Sequence, residues 1–242
     1  MKRHNLHTHT NYSDGKHTPE DLITLAQENG IEILGISDHA FSKKLPDYFQ
    51  ITGKLETYLE HLKKLKASKS VVLKIGIEID VSTNYGTSPA LLPFKLLNEF
   101  DYLLFEYVQT ENEYWGNVGE RNISELVEVR DKFTIPIGLA HNDLQKNFAG
   151  SEKLIAGILA ENDIFLELNQ SEYRGRCNSG RNTRAGIDYY RHFSELLLDE
   201  LKENEVKVTI GTDSHSGKSL GKIDDAINFV EENKLSYHLL AE

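Results

Sequence analysis

Ten histidines occur in this 242-residue chain, and their distribution is the first guide to its chemistry. Four of them fall within the first 17 residues. Neutral imidazole is the commonest metal-binding side chain. His7 and His9 stand two apart in Leu6-His7-Thr8-His9. On an extended strand that spacing puts both rings on one face, where they can share a cation. Asp213 and His215 repeat the spacing in Gly211-Thr212-Asp213-Ser214-His215, with Ser214 expected to face away from both. Other apolar runs also end in potential ligands: Asp38-His39, Glu78, Glu106, His141, and Glu167 with Asn169. Isolated structural histidines would not recur at strand ends in this way. His4, His61, His192 and His238 lack such partners along the chain and are read as ordinary. His17 lies in a loop near the first pair, but no pattern makes it a ligand.

The elements that must position these residues are short apolar runs alternating with amphipathic stretches. Strands are predicted at Asn5–His9, Ile31–Ser37, Val71–Ile79, Asp101–Phe105, Ile135–Ala140, Ile164–Leu168 and Val206–Thr212. Their consecutive Ile, Val and Leu suit parallel strands buried on both faces. Helices are predicted from Thr18-Pro19 to Asn29-Gly30, and at Lys54–Lys66, Pro89–Asn98, Glu120–Lys132, Ser151–Glu161, Ile187–Lys202 and Asp224–Asn233. Thr18 supplies an N-cap and Pro19 the first helical position. Seven β/α alternations favour a closed or nearly closed parallel barrel, although an open sheet accommodates the same pattern. In a barrel, the carboxyl ends of the strands share one face, so ligands spread along the chain would converge there. No G-x-G-x-x-G or P-loop occurs in the strand-to-helix turns, which gives a nucleotide-binding fold little support.

His7-Thr-His-Thr-Asn-Tyr-Ser-Asp-Gly15, Thr18-Pro-Glu-Asp21 and Gly35-Ile-Ser-Asp-His39 together resemble the opening of the PHP (polymerase and histidinol phosphatase) superfamily. Gly76-Ile-Glu78, Ala140-His141 and Gly211-Thr-Asp-Ser-His215 are similar to its later motifs, in the same order. The resemblance spans nearly the whole chain and implies a single domain over residues 1–242. It implies a distorted seven-stranded (β/α)7 TIM-like barrel with its active site at the C-terminal ends of the strands. It also implies two or three divalent metal ions (Zn, Mn or Fe) and hydrolysis of phosphate esters. Carried over by position, it gives one ion to His7, His9, Glu78 and Asp213. A second would share Glu78 and take His141, and a third would lie between Asp14, His39 and His215. Imidazole with carboxylate suits those metals better than Ca or Mg. Asp38 is expected to orient a ligand histidine.

The chain departs from the family pattern after its fourth strand. Asp101-Tyr-Leu-Leu-Phe-Glu-Tyr-Val-Gln109 has no histidine where the second site would be completed. Either Glu106 substitutes as an oxygen ligand, or that site is weak or empty.

The resemblance implies that a metal-bound hydroxide attacks the phosphorus, with Glu78, Asp213 and His215 acting at the reacting atoms. No nucleophile-elbow motif supports a covalent route. A formal net charge of −11 argues against a broad surface for nucleic acid or anionic lipid. Two or three divalent ions would bring about +4 to +6 to the site and reverse the local field. Arg174, Arg176, Arg181 and Arg184 follow the sixth strand as candidate ligands of the phosphate oxygens; a solvated basic loop is the alternative. The single cysteine, Cys177, excludes an intrachain disulfide and suits the cytoplasm. No apolar run suggests a signal peptide or a membrane span. The expected partner is a small phosphorylated metabolite, for which histidinol phosphate is one candidate. Two rival readings are a nuclease or phosphodiesterase of the same family, and a metal-binding module with little catalysis.

Overall fold

The computed structural model describes residues 1–66, 71–109, 121–171 and 189–237. Seven strands run parallel in chain order: β1 (His4–Asn5), β2 (Ile33–Ile36), β3 (Val72–Asp80), β4 (Tyr102–Glu106), β5 (Ile137–Leu139), β6 (Ile164–Asn169) and β7 (Val208–Gly211). The first and last strands meet through Leu6 N–H donating to the Ile210 carbonyl at 2.8 Å. Thr8 and Ser214 form a parallel bridge above that contact. The result is a nearly closed barrel. A two-residue strand, His39–Ala40, adds to β3 at the upper end.

Alternation along the strands divides the side chains into two cores. Outward-facing Leu34, Ile36, Ile77, Ile79, Leu103, Phe105, Leu166 and Leu168 pack against the helices. Inward-facing Ile33, Tyr102, Leu104 and Phe165, with Leu6 and Ala140, plug the barrel. Tyr102 needs room at the centre: a Cβ on Gly76 would lie within 2.5 Å of its ring. Its hydroxyl donates to the Leu6 carbonyl at 2.5 Å, tying β4 across the interior to the chain after β1. The same alternation turns Glu78 and Asp80 of β3, Glu106 of β4, and Glu167 and Asn169 of β6 toward the barrel mouth.

The helices follow local sequence rules. Thr18 and Asp21 form a reciprocal capping box at the start of α1 (Pro19–Glu28). In α2 (Leu55–Lys66) the buried residues Leu55, Tyr58, Leu59 and Leu62 recur at helical spacing. The remaining helices are α3 (Phe94–Leu97), α4 (Ile123–Val127), α5 (Leu144–Asn147), α6 (Glu152–Glu161), α7 (Glu195–Glu203) and α8 (Asp224–Asn233). None of the described helices is long and apolar enough to cross a membrane.

Several predicted boundaries are corrected. The Pro89–Asn98 helix divides into a 3-10 turn, Pro89–Leu91, and α3, because Leu92 is extended ahead of Pro93. The Glu120–Lys132 helix is shorter: Asn122 caps α4 through Ser124 N–H, and a separate 3-10 turn spans Arg130–Lys132. Within Ile187–Lys202, a 3-10 turn at Tyr189–His192 precedes α7, which Ser194 caps. The first strand ends at Asn5 rather than His9, where the Asn5 side-chain carbonyl accepts the His7 N–H.

Candidate metal centre

His7 and His9 enter the barrel mouth from the irregular segment after β1, and both are fully buried. Their Nε2 atoms face each other at 3.1 Å. Asp213 Oδ1 lies 2.9 Å from His9 Nε2 and 3.6 Å from His7 Nε2. Glu78 Oε2 lies 3.3 Å from His7 Nε2 and 3.5 Å from His9 Nε2. One donor atom from each of these four residues falls within 4.8 Å of all the others. His9, Asp14, His39 and His215 form a second such set, and His39, Glu78 and Glu106 a third. His141 joins through Nε2, 2.7 Å from Glu78 Oε1. All nine expected ligands therefore gather in one basin.

The groups beneath this basin fix the rings. Glu167 Oε1 accepts from His7 Nδ1 at 2.9 Å, which leaves Nε2 to face inward. Its other oxygen accepts the His141 backbone N–H at 2.6 Å, and Asn169 Nδ2 donates to Oε1 at 2.7 Å. A Cβ on Gly211 would collide with Glu167 Oε1 and come within 2.6 Å of the His7 Cβ, so only glycine leaves room for this contact. His215 Nδ1 donates to the Asp213 carbonyl, turning Nε2 toward Asp14 at 3.1 Å. Asp38 corrects the sequence reading. It accepts from the backbone N–H and hydroxyl of both Thr10 and Ser13, so it anchors the loop carrying Asp14 rather than a histidine ring.

The backbone is also unusual here. Phe41, Tyr107, His141 and Asp213 all have positive φ, between 34° and 65°, and each follows or ends a strand at the mouth. Such geometry costs about 1–3 kcal/mol per residue and persists where the surroundings impose it.

Electrostatics show what the basin lacks. Burial works against a charge on His39, but Glu78, Asp14 and Glu106 hold it up at about 10. His7 is raised well above the ordinary range against the same penalty, by Glu167, Glu78 and Asp213. His9 falls to about 3 through burial beside His215 and His39. Without another cation, protons on the imidazoles thus balance the carboxylates. Two buried carboxylate oxygens, Glu78 Oε2 and Asp14 Oδ1, lie 2.8 Å from His39 Nδ1 and 3.1 Å from His215 Nε2 without an aligned hydrogen bond. Imidazole nitrogens and carboxylate oxygens that converge in this way fit a shared cation, which would replace the imidazole protons, and these donors suit a divalent transition metal.

Other sequence candidates separate from the basin. His4 Nε2 accepts the Ile210 N–H, and His61 lies between Tyr12 and Glu20. His17 Nε2 donates to the Ser216 carbonyl. Ser214 faces away, with Ser219 as its hydroxyl partner. Arg174, Arg176, Arg181 and Arg184, with Cys177 and His238, lie outside the described residues. Two residues at the mouth escaped the sequence reading. Asp80 was within reach of it, standing two positions beyond Glu78 on the same face. Lys44 carried no signal, since it belongs to an irregular loop.

Known proteins resemble this chain along most of its length. A "Probable phosphatase" of Acetivibrio thermocellus is 26% identical over 227 residues, covering 93% of this chain and 85% of the relative. A "Histidinol-phosphatase" of Lactococcus lactis subsp. lactis is 25% identical, covering 90% of this chain and 86% of its own. Among solved structures, histidinol phosphate phosphatase from that organism, complexed with zinc, L-histidinol and phosphate, superposes with a TM-score of 0.68. That match has 18% identity and covers 98% of this chain and 95% of the other, a likeness of fold. The PHP domain model matches residues 5–240, and the chain belongs to the PHP domain family.

Proposed function

We propose that this protein is a metal-dependent phosphatase acting on the monoester of a small phosphorylated metabolite. The observation that carries this reading is the convergence of His7, His9, Glu78 and Asp213 within 4.8 Å at the barrel mouth. In this reading those four residues hold one divalent ion. Glu78 is shared with a second that His141 helps bind, and Asp14, His39 and His215 hold a third. Zinc, manganese and iron all suit the donor set. Bound ions of this kind polarise a phosphoryl oxygen and acidify water, which is the chemistry that monoester hydrolysis needs.

The protein's own groups supply position. Glu78 is sealed from solvent and acts by placement between the sets. Asp213 and His215 lie nearer the opening, so we assign them to the reacting atoms. Glu167 and Asp38 hold the rings and the Asp14 loop in register before substrate arrives. Arg174, Arg176, Arg181 and Arg184 follow β6 in the chain and are proposed to grip the phosphate. The phosphatase names of the relatives support the reaction class, and the Lactococcus enzyme makes histidinol phosphate the first compound to try.

The test is phosphate release from a panel of monoesters, histidinol phosphate included, by protein loaded with Mn or Zn. Turnover on at least one monoester, removed by chelation and restored by metal, is expected. Stoichiometric metal without turnover on any ester would instead favour a binding module.

A further inference from the structure

The register of β3 on β4 sets Asp80 directly beside Glu106. Both carboxylates face the mouth and both are buried, at 1% and 5% exposure. Like charges paired across neighbouring strands repel, and removal from water strengthens the repulsion. Asp80 is supported by the Ser42 hydroxyl at 2.6 Å and the Ser82 N–H at 2.9 Å. Neither group brings a charge.

Lys44 does. Its Nζ lies 3.0 Å from Asp80 Oδ2 and 3.9 Å from Glu106 Oε1, and it sits 3.8 Å from the centre of the Tyr107 ring. Ring and carboxylates together make a cation site. The loop that carries Lys44 is stapled from both sides. Gln50 Nε2 donates to the carbonyls of Ser42 and Leu45, Gln50 Oε1 accepts the Ser42 N–H, and Lys43 N–H donates to the Tyr85 carbonyl. The ammonium is therefore placed by the fold. Glu106 also belongs to the donor set with His39 and Glu78, so the lysine stands at the edge of a position that could otherwise take an ion.

We propose that the Lys44 ammonium is the resident cation of the Asp80–Glu106 corner, occupying the electrostatic place of a metal ion there. Glu106 then serves as a partner of Lys44 rather than as a metal ligand, and metal is confined to the histidine-rich sets. This inference rests on the reading of the basin as a metal centre. It makes Lys44 a positioning residue that sets how many ions the site holds.

Counting bound metal tests it. Wild-type protein, Lys44→Met, Lys44→Arg, Glu106→Gln and the Lys44→Met/Glu106→Gln double variant are dialysed against excess Mn or Zn. After gel filtration, metal per chain is measured by mass spectrometry. Glu106→Gln and Lys44→Arg should match the wild type. Lys44→Met should bind one further ion, and the double variant should lose it again. Circular dichroism establishes which variants are folded, and if Lys44→Met is not, the Glu106→Gln comparison decides alone. Loss of an ion in Glu106→Gln, or a folded Lys44→Met with the wild-type count, would overturn the role of Lys44 and leave the metal centre standing. A wild type that binds no metal would overturn the metal-centre reading, and this inference with it.

Discussion

At one end of the barrel mouth, His7, His9, Asp14, His39, Asp213 and His215 crowd together with no permanently charged cation among them. At the other, Asp80 and Glu106 face a lysine delivered by a neighbouring loop. Both ends bury carboxylates and both need positive charge. The histidine end can obtain it from protons or from metal, and the two compete for the same lone pairs. The lysine end obtains it from the chain, where it cannot be exchanged. Within one basin, then, the fold separates a region whose charge depends on what is bound from a region whose charge is built in.

The sharpest way to break this contrast is to remove a ligand from the histidine end. His7→Ala or Asp213→Ala should reduce bound metal and take phosphatase turnover to background, measured by metal content and phosphate release on the same samples. Full metal and full activity in either variant would sink the assignment. A smaller effect is expected one layer below. Glu167→Gln weakens the hold on His7 Nδ1 and should cost about 10–100-fold in metal affinity, read by competition with a chromogenic chelator.

The contrast also predicts a difference in pH response. His39 is raised to about 10 in the metal-free protein. Its contribution to stability is complete below the unfolded value of about 6.5 and is lost as pH rises through the folded one. Urea unfolding of chelator-treated protein should therefore weaken across that window. Metal-loaded protein should weaken less, because its imidazoles are already deprotonated. Equal slopes for the two forms would count against proton–metal competition. The smallest effect should come from beneath both ends. Tyr102→Phe leaves the buried Leu6 carbonyl without its donor, at a cost of about 1–3 kcal/mol in thermal or urea melts. Metal content should be unchanged, since Tyr102 touches neither end.

Much of the site was legible because of one geometric rule. Alternation within a strand and the shared polarity of parallel strands bring Glu78 and Glu106 to the same face whatever the loops do. His141 and Asp213, by contrast, lie just past their strands, and His141 enters the mouth through a positive-φ turn that alternation does not foretell. Where the chain leaves regular structure the rule lapses. Asn5 ends the first strand early, because its side chain takes the His7 N–H two positions on in competition with the ladder. Asp38 sits beside His39 in the chain, yet its oxygens turn to Thr10 and Ser13 on another segment. Pro93 was a visible breaker, and the predicted helix ran through it.

By itself the sequence determined the barrel periodicity, the ligand types and the end of the barrel where they lie, since these follow from spacing and strand direction. Only the tertiary structure decided the partners of each ligand. Glu167 meets His7 across 160 positions. Asp80 meets Glu106 through strand register, and Lys44 reaches them along a loop with no periodicity. Contacts of this kind depend on register and loop path, and chain spacing carries no record of either.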